Sequence, residues 1–414
     1  MNTCSVYTDV SVKSISETGY TLKIVTPSAQ SVKAIYEIAG LFSRNYPVAA
    51  MEVSVVSGGI PINTFLASKF AVGDVPDILI YQAGSSIELF AQGGHLLNLS
   101  DSGFEGRFSP EAEAICRYGG RIYALPLDIT ISGLFVQMSV LWQGAVRNSV
   151  VRIIPKTFDE FIISCAQLRR AGINYPVVIG ASGDIGAVVF LYQYMHQYLY
   201  AENPRIYEDI LRGKRKWTDR EFQEMYRAYG QIREYVNPDA TRIGEVEAMR
   251  RFAGGEAAYY IGQSRDIAAI RRFKQTLDMV MVTPPWGNES QGVPLVGVDT
   301  VVSISADTWY PDEAKAFLRE LTSVYGADIY SQAAGSVSAT AGSSMWYDFC
   351  LGPRSEMFRI RGLTQFMSRE WLPGFEETFK RLNREWFTGR PADSLLEELE
   401  SLHRSMIAVK TGGI

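Results

Sequence analysis

The chain has 414 residues, 47% apolar and 21% charged, with 40 basic and 45 acidic residues and a formal net charge of −5. At about 150 residues per domain, that length suits two to three domains with sizeable cores, and the composition excludes a disordered, collagen-like or disulfide-stapled protein. The short run Lys214-Arg215-Lys216 offers no track for a phosphate backbone, so nucleic acid is not an expected partner.

The stretch up to Tyr20 is polar and rich in Ser and Thr, with neither a basic start nor an apolar h-region, so as written it is not a secretory signal. It reads either as the start of a cytoplasmic chain or as the tether that remains once an export leader is gone, with Cys4 as a lipid-attachment remnant. A first strand is predicted over Tyr20–Thr26 (YTLKIVT). After Pro27 comes a helix of about Ser31–Arg44, in which Val32, Ile35, Ile38, Ala39 and Phe42 recur at helical spacing. Met51–Val56 is a second strand, ending at Gly58-Gly59, and Asp77–Tyr81 a third. Strands alternating with amphipathic helices predict parallel βαβ units and an α/β fold.

A second alternating block opens at Phe158, where Thr157 is a helix cap and Glu160 completes a capping box. Gly172 closes that helix and the strand Tyr175–Gly180 follows. Helical periodicity then dominates to about Phe273, although AAYYIG within it looks like a buried strand. Strands at Asp278–Thr283 and Thr300–Ile304 flank a Pro/Gly-rich passage, and the tail from about Phe358 to Val409 is mostly helical. No apolar run approaches the ~18–20 residues that cross a bilayer.

Motifs for chemistry are absent. Cys4, Cys116, Cys165 and Cys350 form no C-x-x-C pair, and His95, His196 and His403 are too dispersed for a multi-histidine metal site. The segment from Gly180 through Gly183 to Gly186 has G-x-x-G-x-x-G spacing. A dinucleotide fingerprint needs G-x-G-x-x-G, so this one reads as a helix-opening turn. There is no Walker A lysine motif and no G-x-S-x-G elbow. The informative residues sit at the carboxyl ends of predicted strands, where small ligands collect in open α/β sheets. These are Ser28, then Gly58 and Gly59, then Gln82 and Ser85, then Asp128 and Thr130 after LPLD, then Ser182 and Asp184 after YPVVIG.

Six segments, read in chain order, resemble the extracellular solute-binding proteins of sugar ABC transporters (family 1, maltose-binding-protein-like). PDILIY with SSIELFAQGGHLLNLS is similar to the family's "PD-apolar … G-x-L-x-x-L" passage. YGGRIYALPLDITISGLFVQMSVLWQGAV is similar to its "dGK … P … GLYYN … G" passage. PKTFDEFIISCAQLRRAGINYPVVI, MRRFAGGEAAYYIGQSRDI, MVMVTPPWG and DEAKAFLRELTS match its "P-x-TWdEf", "GkaAM-x-x-G-x-W", "PlP" and "eAkxFlxxLts" stretches. Two departures fall where ligand contacts are expected: the frequent tryptophan after G-x is replaced by Ser264-Arg265, and YYN by Phe135–Gln137.

The resemblance implies a two-lobe, type II periplasmic-binding-protein-like fold, each lobe a mostly parallel sheet flanked by helices. Projected here, 1–128 with 299–336 forms one lobe and 131–294 with 340–414 the other, hinged near 128–131, 294–300 and 335–341. It implies no cofactor, no metal and no reaction. A monomer outside the cytoplasm, periplasmic or a cell-surface lipoprotein, would close on a sugar or oligosaccharide and hand it to an ABC permease in the membrane. Sugars are held by polar side chains on hydroxyls and aromatic faces on C–H surfaces. The expected polar contacts are Ser28, Gly59, Gln82, Ser85, Asp128, Thr130, Asp184, Gln263, Arg265 and Asp299, with Trp286 and Trp346 as stacking platforms. Two other readings stay open at this point. One takes Tyr259-Tyr260 as ferric-ion ligands; the other is a two-domain glycan-active enzyme, whose carboxylates would face each other about 5–10 Å apart.

Overall fold

Alternating burial builds the first sheet: Leu22 and Ile24 point inward from Tyr20–Thr26, while Ala34, Ile35, Ile38 and Phe42 form the buried stripe of the helix that follows. The computed structural model describes residues 7–9, 19–47, 49–56, 61–147, 154–183, 185–286, 295–343, 371–372 and 374–410. In chain order these give β1 (Tyr7–Asp9), β2 (Tyr20–Thr26), α1 (Ser31–Phe42), β3 (Ala49–Val56), α2 (Ile62–Val72), β4 (Ile78–Gln82) and α3 (Ser85–Gln92). The short α4 (Pro110–Ile115), the hairpin β5 (Arg117–Tyr118) and β6 (Arg121–Ile122), and β7 (Leu125–Pro126) lead into β8 (Asp128–Gln137). Next come α5 (Met138–Arg147), α6 (Phe158–Arg170), β9 (Val177–Val178) and α7 (Val189–Tyr194), which continues into a π-helical turn, Met195–Tyr200. Then follow α8 (Ile206–Leu211), α9 (Arg220–Arg233), α10 (Glu245–Gly254), β10 (Tyr259–Gln263), α11 (Asp266–Phe273) and β11 (Met279–Val282). The chain ends with β12 (Leu295–Val298), β13 (Thr300–Ile304), α12 (Pro311–Leu321), α13 (Val324–Ala334), β14 (Val337–Ser338), α14 (Phe375–Phe387) and α15 (Ala392–Lys410).

These elements divide into two compact units. Unit 1 comprises Met1–Thr130 and Gly297–Trp346; unit 2 comprises Ile131–Val296 and Tyr347–Ile414. In unit 1 the strand order is β1-β3-β2-β4-β13-β7. The β3-β2-β4 centre is parallel, as the βαβ pattern predicts, whereas β13 pairs antiparallel with β4 and β7. In unit 2 the order is β11-β8-β10-β9, with β10 parallel to β9 and antiparallel to β8. The expectation of mostly parallel sheets therefore holds only for the βαβ cores. β8, which spans the boundary between the units, and β13 run against their neighbours because no helical crossover returns them in the same direction.

Unit 2 packs around aromatic side chains. Trp286 is fully buried, meeting Phe161 edge-on at 5.2 Å and Phe190 at 4.9 Å. Its indole N–H donates to Gln193 Oε1 at 2.8 Å, and the Gln193 amide nitrogen donates to Ser132 Oγ at 2.8 Å. This satisfies a buried polar pair that would otherwise cost on the order of 1–3 kcal/mol. The carboxyl-terminal helices join the same core, since Tyr226 of α9 donates to Asn383 of α14 at 2.8 Å. At the start of α6, Thr157 Oγ1 accepts from Glu160 N at 3.2 Å. The Glu160 carboxylate reaches one residue beyond the cap and accepts from Lys156 N at 2.7 Å.

Candidate functional site

In unit 1, α2 and α3 both begin at the carboxyl-terminal side of the parallel strands, so their first turns lie near one another. Asn63, in the first turn of α2, donates to Ser86 Oγ at 2.8 Å and to the carbonyl of Gln82 at 3.4 Å. Its amide oxygen is buried with no donor among the described residues. Gln82 pairs with Thr300, and the carbonyl of Asp299 accepts from Ala83 N at 2.9 Å. Thr300 N in turn donates to Asp128 Oδ1 at 2.9 Å. The structure thus links Gln82, Asp128 and Asp299 through backbone contacts, with Asn63 as a member that sequence reasoning missed; Ser85 opens α3 next to Ser86. Within INTFLASKF nothing separates this asparagine from an ordinary helix surface residue; only the meeting of two helix starts does.

Asp128 is 4% exposed. Burial, reinforced by the nearby Asp299 carboxylate, pushes its pKa up to about 7. One oxygen holds β13, and its backbone carbonyl accepts from Asp299 N at 3.2 Å, so Asp128 ties crossing strands together at the head of β8. Thr130, two residues on, is buried as well. Ser28 is a turn residue: its hydroxyl donates to Gln30 Oε1 at 3.2 Å, and its carbonyl accepts from Ser31 Oγ at 2.9 Å.

In unit 2 the carboxyl ends of β9 and β10 open onto a recess of about 290 Å³, counting space open to solvent. Gly180, Glu245, Tyr260, Gln263, Arg265 and Asp266 are among the residues lining it. The glycine-spaced segment explains how it forms. A Cβ on Gly180 would sit 2.3 Å from the Gly244 carbonyl oxygen, and one on Gly186 would sit 1.9 Å from that of Gly180. Three backbones are pressed together here, which brings the start of α10 against the end of β9. The glycines serve close packing in the segment that leads to α7, and not a pyrophosphate.

At the end of β10, the Asp266 carboxylate accepts from Gln263 N at 2.8 Å and from Tyr260 OH at 3.1 Å. Burial pushes its pKa up to about 6, against the opposing pull of Arg265. Gln263 is 5% exposed, and its Oε1 has no donor among the described residues.

Some expectations are corrected. Trp286 offers no stacking face, because the aromatic core of unit 2 encloses it entirely. Tyr259 and Tyr260 cannot converge on one ferric ion. As neighbours in β10 they point to opposite faces, Tyr259 OH to Ser164 Oγ at 2.7 Å and Tyr260 OH to Asp266. No cluster of metal-ligating side chains exists among the described residues. Gly59, Asp184 and Trp346 lie outside the described residues.

Comparison with known proteins decides the family. The model of the bacterial extracellular solute-binding protein family matches residues 52–345, more than half of the chain. This chain belongs to that family. A curated relative of this family member, the "Multiple sugar-binding protein" of Streptococcus mutans, is 20% identical over 313 residues, spanning 73% of this chain and 70% of its own. Among solved structures, a chitin oligosaccharide binding protein matches with a TM-score of 0.82 at 17% identity, over 94% of this chain and 99% of the other. RafE in complex with raffinose matches with a TM-score of 0.79 at 19% identity, over 94% and 100%. At such identities these likenesses establish the type II solute-binding fold.

Proposed function

We propose that this protein binds a sugar or oligosaccharide outside the cytoplasm and passes it unaltered to an ABC permease in the membrane. One observation carries the reading: each unit holds a buried amide oxygen with no donor among the described residues, Asn63 Oδ1 in unit 1 and Gln263 Oε1 in unit 2. Each stands where the parallel strands end. A buried acceptor left unpaired costs on the order of 1–3 kcal/mol, and a sugar hydroxyl is the neutral donor that removes this cost. The carbohydrate ligands named for the relatives fit the same chemistry. In this reading the monomer closes on one ligand, and the chain bends near 128–131 and 294–300 as it does so. The ligand's preference for the bent state supplies the driving force.

The test is scanning calorimetry of the full chain over a panel of mono- and oligosaccharides, with chromatography of the ligand afterwards. A true ligand at 100 times its dissociation constant adds about 2.7 kcal/mol of stability and is recovered intact. A cleaved or transferred product would replace this reading with an enzymatic one.

A further inference from the structure

The unit 2 recess also carries a charge pattern bearing on which sugars it accepts. Two helices open on it, α10 at Glu245 and α11 at Asp266. A helix start presents unpaired N–H groups and favours an anion. Here the chain supplies its own: Glu245 is the first residue of α10, and Asp266 folds back onto Gln263 N at the start of α11. Gly262 makes room for that fold, since a Cβ there would fall 2.6 Å from Asp266 Oδ2. Against these two carboxyl groups, the described lining holds a single cation, Arg265, which lowers the proton affinity of Asp266. The recess atom with no donor among the described residues, Gln263 Oε1, is again an acceptor. A carboxylated ligand reaching for Arg265 would bring a third acid beside Glu245 and Asp266, and like charges this close oppose binding. A hydroxyl or a charged amine meets acceptors and a negative field.

We propose that unit 2 selects neutral and amino sugars over uronic and other carboxylated sugars, with Glu245 as the specificity-determining residue. The inference rests on the carbohydrate reading above. Its test places the full chain on a glycan array bearing neutral, amine-bearing and uronate-bearing glycans on matched backbones, at pH about 6.5, where amines are largely charged. The best binder and its charged counterparts are then titrated by calorimetry. The expected order is amine about tenfold tighter than its neutral parent, and uronate about tenfold weaker.

In Glu245→Gln the amine-to-neutral ratio falls to near one. In the unmodified protein the same ratio shrinks as salt is raised to about 1 M, a readout independent of how well the variant folds. A uronate held as tightly as its neutral parent overturns the inference and leaves the carbohydrate reading standing. So does an amine preference that survives both Glu245→Gln and high salt. Retention of no glycan of any class overturns both.

Discussion

Unit 1 gathers its core around a regular ladder of aliphatic strands, with Leu22, Ile24, Val53, Leu79 and Ile80 buried between helices. Unit 2 gathers its core around rings, with Trp217, Trp286 and Trp371 fully enclosed and Gln193 fixing the orientation of Trp286. Yet the two arrive at the same chemistry at their strand ends, an acceptor amide with no donor among the described residues. Unit 1 takes it from the first turn of a helix, Asn63, and unit 2 from the last residue of a strand, Gln263. What the units share is a position relative to the sheet, not an element or a core type.

The sharpest way to break this contrast is to remove a ring. Trp286→Ala should cost about 3–5 kcal/mol, because it empties a filled core and orphans Gln193. Chemical denaturation followed by circular dichroism should show a transition that unfolds earlier; a loss under about 1 kcal/mol would mean that the ring core of unit 2 is not what holds it. Next in size, Gly186→Ala drives a methyl into the Gly180 carbonyl and should cost about 1–3 kcal/mol in the same assay. Unchanged stability would dismiss the three-backbone contact as the reason for these glycines.

Much of the fold is legible in the residues. Tyr20–Thr26 and Thr300–Ile304 show apolar patterning bounded by turn residues, and both are strands over those limits. Thr157 and Glu160 announce the start of α6 before any tertiary contact is considered. β8 is less legible: DITISGLFVQ is buried at nearly every position, so it lacks the period-two alternation of a half-exposed strand, and Gly133 interrupts its propensity. The site is harder still to read. Gln263 and Arg265 are reachable from the family resemblance, and both line the recess. Asn63 and Glu245 become recognisable only once separate segments meet. Trp286 carries the right chemistry for a platform, but tertiary packing encloses it.

The comparison is sharpened by Asn63→Ala and Gln263→Ala. If each amide oxygen takes a ligand hydroxyl, each substitution should weaken sugar affinity by about tenfold in calorimetric titration, the worth of one hydrogen bond of about 1–1.5 kcal/mol. A loss confined to one variant would make the binding one-sided. A last test concerns pH. The pKa of Asp128 is raised from an ordinary 3.8 to about 7, so between those values the folded chain holds a proton that the unfolded chain has released. Its contribution to stability is full below about 3.8 and is lost as pH rises through about 7. Buried His196, lowered to about 4, acts with the opposite sign on the acid side. Asp128→Asn isolates the first effect: relative to the unmodified chain, the variant should gain melting temperature as pH rises from 4 to 8, by ~2–4 °C per kcal/mol released. A difference that stays flat across that range would show that Asp128 is ionised in the fold.

Because the Trp286 indole is pinned by Gln193, and Gln193 also holds Ser132 Oγ and the Gly133 carbonyl, this ring is wired to the stretch of β8 immediately past the crossing at Thr130. Any twist of that strand pulls on the amide and alters the electrostatics around the indole. Trp286 is thus a native fluorophore placed beside the connecting strand, and its emission is expected to shift when that strand twists.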